Sequence, residues 1–261
     1  MVPSLVVTST EEGVAVLTLN NPPLNLVTLE MTRQLGQRLD ELSGDPEVRV
    51  LVVTGAEARA FSAGSDVREF PHLISTGGVV SVKLGPENDA YSKLARFSKP
   101  TIAALAGLAY GGGLELAVCC DLVIAAASVK LALPEINLGV FPGSGGTVRV
   151  TRRVGEARAK ELMFLGEPVN AETALAWGLV NRVVPDGEAL TAARELALRL
   201  ASLPNRALQL CKQAVRLAWE AEEHDAIRQT LALSDEAFHT RDCEEGVRAF
   251  FAKQSPRFRH R

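Results

Sequence analysis

The sequence predicts an α/β fold, a strand-and-helix core followed by a helical C-terminal region. Three observations carry this. Apolar runs at 48–54, 101–106 and 122–126 show no polar alternation, the pattern of strands buried on both faces of a parallel sheet. Amphipathic helical stretches separate these runs. After Gly139 the texture changes and nearly every segment has helical spacing.

The elements follow in order. Residues 4–8 and 14–20 flank Glu-Glu-Gly and read as a hairpin, ended by Asn21-Pro22-Pro23. Residues 28–43 place Met31, Leu35, Leu39 and Leu42 on one helical face, and Gly44-Asp45-Pro46 stops the helix. The buried strand 48–54 leads into a loop, AEARAFSAGSD, at 56–66. Residues 71–88 carry several glycines and weak periodicity, and read as irregular. A helix at 89–97 precedes the strand 101–106. Residues 107–113 are glycine-rich and open a helix that runs to Cys120. Strands at 122–126 and 129–133 follow, then a turn at 142–146. Helices are expected at 147–154, 157–165, 170–177, 187–202, 205–220, 222–240 and 243–253, with one strand at 180–184. The chain thus divides into a core, 1–185, and a helical region, 186–261, with no linker between them.

Composition narrows the function. The 261 residues are 47% apolar and 23% charged, with 28 basic against 31 acidic side chains. No basic field exists to hold a nucleic-acid backbone; Arg257, Arg259 and Arg261 form only a short tail. No apolar run is long enough to span a membrane, and the N-terminus has no basic region before its apolar stretch. A cytoplasmic location is expected. Cys119, Cys120, Cys211 and Cys243 form no metal or disulfide spacing, and the four histidines are scattered, so neither a metal centre nor a histidine base is expected.

Three stretches carry candidate chemistry: AFSAGSD at 60–66, AGLAYGGGLELA at 106–117 and LPEINLGVFPGSGG at 133–146. Gly111-Gly112-Gly113 runs into a helix, where unpaired N–H groups and the helix dipole suit an anion or a developing oxyanion. A tight strand-to-helix turn explains the same residues. Glu115 and Glu135 are single charges in apolar settings. Glu115 reads equally as a first-turn residue that favours the helix dipole, and Glu135 as the partner of a nearby Arg in a salt bridge. Converging on one buried site, they would repel and lose solvation, and one could take a proton while the other gave one. The AFSAGSD loop could supply a second N–H donor. The P-loop, GxGxxG and GxSxG patterns are absent.

Together these segments resemble the crotonase (enoyl-CoA hydratase/isomerase) superfamily. The resemblance spans NPPLN, AFSAGSDVREF, KPTIAALAGLAYGGGLELAVCCD, LALPEINLGVFPGSGGT with RVTRRVG, AETALAWGLVNRVV and EEGVRAFFAKQSPRF. It implies a spiral of ββα repeats and a helical C-terminal region that forms homotrimers or dimers of trimers. It implies an acyl-CoA thioester substrate with no metal or redox cofactor. By position, the backbone N–H groups of Ser65 and Gly112 match the family's oxyanion hole. The loop Ala63, Ser65, Asp66, Val67 and Arg68 matches the segment along the CoA adenine and phosphates, with Arg68 set to pair a phosphate. Lys253 matches a CoA-contacting lysine reached from a neighbouring subunit. Glu115 and Glu135 match the two glutamates of the hydratases, which implies syn addition of water to a trans-2-enoyl-CoA, with Glu115 chiefly the base and Glu135 the acid. Two features depart from the hydratase pattern: Leu-Ala-Leu-Pro stands where Phe-Gly-Gln-Pro is usual, and the opening NPPLN resembles relatives of varied activity. The scaffold also admits a double-bond isomerase, or a CoA-ester binder without turnover.

Overall fold

The computed structural model describes residues 4–260; residues 1–3 and Arg261, the ends of the expected N-terminal stretch and basic tail, lie outside the described residues. In chain order the elements are β1 (Val6–Glu11), β2 (Val14–Leu19), α1 (Leu29–Gly44), β3 (Val50–Gly55), β4 (Ala60–Ser62), α2 (Phe70–Ser75) and α3 (Gly85–Ala95). There follow β5 (Thr101–Leu105), β6 (Leu108–Tyr110), α4 (Gly112–Ala117), β7 (Leu122–Ala126), β8 (Lys130–Ala132), α5 (Gly146–Val154), α6 (Glu156–Leu165) and β9 (Val169–Asn170). The chain ends with α7 (Ala171–Trp177), β10 (Arg182–Val184), α8 (Ala189–Ala201), α9 (Asn205–Leu217), α10 (Glu223–Phe238) and α11 (Arg241–Ala252).

The strands form two sheets, ordered β1-β2-β3-β5-β7-β10 and β4-β6-β8-β9. Only β1–β2 and β8–β9 pair antiparallel. Each pass of the chain adds one strand to the large sheet, one to the small sheet and then a helical segment: β3–β4 with α2 and α3, β5–β6 with α4, β7–β8 with α5. This is the expected ββα spiral.

The unbroken apolar runs are explained by burial on both faces. Leu51, Val53, Ala103 and Leu105 face a core shared with α1, α3, α4 and the small sheet. Val50, Val52, Ile102 and Ala104 face Ala193, Ala197 and Ala201 of α8. The small side chains on α8 let it lie close to the sheet. The predicted apolar face of α1 is buried, and Thr28 caps that helix by accepting the Met31 N–H at 3.1 Å.

The structure corrects the expected elements in three places. The loop at 56–66 contains β4, and the glycine-rich 107–113 contains β6. Both strands are three residues long, too short for a period to register. Residues 71–88 are ordered, not irregular: α2 is followed by a π-helix at Val79–Leu84 that runs into α3. The wider π turn breaks the 3.6-residue spacing that a helix search looks for. Helix α8, just after residue 185, covers the second face of the large sheet. The remaining C-terminal helices are tied to the core through Lys212 of α9, which donates to the Lys99 carbonyl at 3.1 Å and to Asp121 at 2.7 Å.

The small sheet and α4 meet through backbone. A Cβ placed on Gly113 would lie 2.2 Å from the Ser62 carbonyl oxygen, so only glycine lets α4 seat against β4. Gly113→Ala is expected to destabilise the fold by at least about 1–3 kcal/mol, measured by urea unfolding, because the clashing atom is backbone and cannot turn aside.

Candidate active site

A cleft of about 460 Å³ opens where the residue 63–67 loop, the start of α4 and the residues after β8 converge. That volume suits a small-molecule ligand. Its polar edge holds Ser65, Gly112, Glu115, Glu135 and Ser144, and its walls are apolar, including Phe70, Leu84 and Phe141.

Two backbone amides share one rim. A Cβ on Gly64 would sit 3.1 Å from the Gly112 nitrogen, and one on Gly112 would sit 3.6 Å from the Ser65 nitrogen. Among the described residues neither amide donates to a turn, loop or side-chain acceptor. Gly112 opens α4, so its N–H lacks a helical partner by geometry. Gly111, at φ +51°, makes the turn that aims it. Such a pair can hold an oxygen that gains charge.

Glu115 lies one turn into α4 and is only 2% exposed. Its Oε1 accepts the N–H groups of Ser144 at 2.8 Å and Gly146 at 2.7 Å. Burial pushes its pKa up to about 7; those two hydrogen bonds oppose the rise, and the charges of Glu135 and Glu87 add to it. Glu135 sits in a short 3-10 turn, Pro134–Leu138, and is half-buried. Its pKa is pushed up to about 6, again by burial. Its Oε2 is buried without a hydrogen-bond partner. Its Oε1 lies 3.1 Å from where a Gly111 Cβ would be, which places it at the same rim. Leu133, the residue that departs from Phe-Gly-Gln-Pro spacing, is fully buried in the core.

Not every residue expected at the site lines this cleft. Ala63, Ser65, Val67, Gly112, Glu115 and Glu135 do. Asp66 turns inward and caps the next turn by accepting the Arg68 N–H at 3.1 Å. Its carboxylate also holds the Arg68 guanidinium at 2.6 Å, which lowers the Asp66 pKa. Arg68 is therefore exposed but pinned to its neighbour. Lys253 ends α11 at φ +53°, exposed and outside the cleft of its own chain. The sequence reading passed over Ser144, Leu84 and the buried Lys83, Glu87 and Tyr91. The signal available was the four-residue spacing of the last three, masked by the glycines around them.

The chain matches the family described as enoyl-CoA hydratase/isomerase over residues 9–261. It is 38% identical over 252 residues to a probable enoyl-CoA hydratase of Mycobacterium tuberculosis, covering 96% of each chain. It is 36% identical over 259 residues to a 2,3-dehydroadipyl-CoA hydratase of Escherichia coli, covering 99% of this chain and all of the other. The crystal structure of an enoyl-CoA hydratase from Bacillus anthracis superimposes with a TM-score of 0.93 at 31% identity, covering 98% of this chain and all of the other.

The raised pKa of Glu115 has a stability consequence. The folded state binds the proton more tightly than the unfolded state, so the stabilising contribution is complete below pH 4.5 and is lost as the pH rises through about 7. Glu115→Gln is expected to raise stability at pH 8 by up to about 3 kcal/mol, with the gain vanishing near pH 4, as read from Tm across pH.

Proposed function

The chain belongs to the enoyl-CoA hydratase/isomerase family, and from that premise we propose that it adds water reversibly to a trans-2-enoyl-CoA, giving the 3-hydroxyacyl-CoA. The observation that carries this reading is the placement of two carboxylates of raised pKa, Glu115 and Glu135, at one rim of an apolar cleft beside two free amides. A double-bond shift needs one base to move a proton. Hydration needs one group to take a proton from water and another to give one to carbon.

In this mechanism the thioester oxygen lies against the N–H groups of Ser65 and Gly112. Their pull draws electron density from C3. Water between the glutamates attacks C3 while Glu115 takes its proton. The C2=C3 electrons move onto the thioester as an enolate held by the two amides, and Glu135 protonates C2. One proton enters the pair and one leaves, so the step closes without an oxidant or reductant. The hydrogen bonding fits these roles. Glu115 accepts two N–H groups, which favours the carboxylate, while Glu135 keeps an oxygen free of protein partners. Burial ranks the pKa values the other way, about 7 against about 6. The two charges repel, so near neutrality the pair shares one proton, which is the state the reaction requires.

The residue 63–68 loop and Lys253 are assigned to CoA, with Lys253 reaching a neighbour's site. Leu231, Phe238, Phe250 and Phe251 expose apolar surface on α10 and α11, and we assign this face to a homotrimer or a dimer of trimers in the cytoplasm. Light scattering is expected to give three or six times the 27.9 kDa chain mass.

With crotonyl-CoA, the enoyl-thioester absorbance is expected to fall as the product gains the mass of one water. Glu115→Gln and Glu135→Gln are each expected to lower kcat by about 10²–10⁴-fold. The wild-type pH–rate profile is expected to be bell-shaped, with limbs near 6 and 7. Absence of hydration across short, long and branched enoyl-CoAs, with double-bond migration in a 3-enoyl-CoA, would replace this reading with an isomerase.

A further inference from the structure

A third carboxylate lies beneath the same cleft. Glu87 of α3 is fully buried and does not line the cavity. It accepts the Ser144 hydroxyl at 2.7 Å, the Lys83 ammonium at 3.0 Å and the Ser65 hydroxyl at 3.2 Å. Lys83 is fully buried too. Its ammonium also donates to Glu69 at 2.8 Å and to the Val27 carbonyl at 3.0 Å, so the charge that faces Glu87 is held from three sides. Glu69 in turn accepts the N–H of Leu29 at the start of α1, at 3.1 Å. One turn beyond Glu87, Tyr91 donates to the Gly112 carbonyl at 2.9 Å. Lys83, Glu87 and Tyr91 thus form one face of the segment running from the π-helix into α3, and that face grips both candidate oxyanion residues.

Stability alone does not account for this arrangement. A buried ion pair is often no better than apolar packing of the same volume. What the pair does here is join loops distant in sequence: Ser65 lies 22 residues from Glu87, and Ser144 lies 57 residues from it. The Ser65 amide is an oxyanion donor in the reading above, and the Ser144 amide bonds Glu115 at 2.8 Å. The geometry points to Glu87, anchored by Lys83, as a positioning residue that holds the oxyanion donor and the base in one rigid frame. This rests on the oxyanion-hole part of the proposed function.

The test compares wild type, Glu87→Gln, Ser144→Ala and the double variant in two assays, with Tm as the folding control. The first is binding of 3-oxobutanoyl-CoA, whose enolate absorbs in the near ultraviolet when its oxyanion is held. The second is kcat and KM for crotonyl-CoA. Glu87→Gln is expected to bind 3-oxobutanoyl-CoA within about threefold of wild type yet lose most of the enolate band. Its kcat is expected to fall about tenfold with KM within about twofold. Ser144→Ala is expected to show a smaller fall, and the double variant no more than Glu87→Gln alone, because both break one tie. A folded Glu87→Gln that keeps the band and kcat overturns the proposal. If Glu87→Gln does not fold, Ser144→Ala leaves the Lys83–Glu87 pair intact and decides: an unchanged band and kcat overturn the proposal. A wild type without an enolate band overturns it as well. A wild type with the band but no hydration overturns the hydratase reading, while loss of that band in Glu87→Gln still supports the positioning role.

Discussion

The start of α4 presses its backbone against the residues after β4, closer than any side chain would permit. Gly113 meets the Ser62 carbonyl, and Gly64 meets the Gly112 amide. This contact brings the small sheet and the helix together, and much of the site follows from it. It sets the Ser65 and Gly112 amides side by side. It also fixes where Glu115 emerges one turn later, under the amides of Ser144 and Gly146. Glu115 is buried beside this rim, and its carboxylate is desolvated.

Three carboxylates then crowd a small volume, and their surroundings separate them. Glu87 meets a buried ammonium and two hydroxyls, and its charge is compensated on the spot. Glu115 has amide partners but no cation, and burial pushes its pKa toward neutrality. Glu135 is less buried and lacks a partner for one oxygen. Burial that raises the pKa of two neighbouring carboxylates is the arrangement suited to acid–base chemistry. The apolar walls that include Phe70, Leu84 and Phe141 lower the polarity around those carboxylates, which strengthens electrostatic effects between them.

Much of the fold was legible in the sequence. Periodicity locates α1 because Met31, Leu35, Leu39 and Leu42 repeat over about three turns on one buried face. Unbroken apolar runs located β3, β5 and β7 because both faces of the large sheet are covered. The short strands β4 and β6 were hidden, since their pairing depends on neighbours brought in by the spiral. The π-helix and the first turn of α3 are hidden by a turn of unusual width, while the rest of α3 falls within the helix expected at 89–97. At the site, Glu115 and Glu135 stand out as lone charges in apolar runs and the stretches at 60–66 and 111–113 by their glycines, while Ser65 and Gly112 are singled out within them only by the family resemblance. Ser144 did not, because a serine between glycines reads as a turn. Lys83 and Glu87 did not, because a charged pair four residues apart on a helix is usually a solvated one.

The sequence by itself determined the class of fold, the family and the residue types available for chemistry, because these depend on local pattern and spacing. Tertiary structure alone decided which charges meet. Glu115 and Glu135 reach one rim only when separate ββα turns stack. Asp66 turns inward to its own loop, and Arg68 follows it. Glu87 comes under Ser65 and Ser144 only when the segment from 79 to 95 folds back beneath the cleft. Protonation and partner choice depend on distance and dielectric, and neither exists along the chain until it is packed.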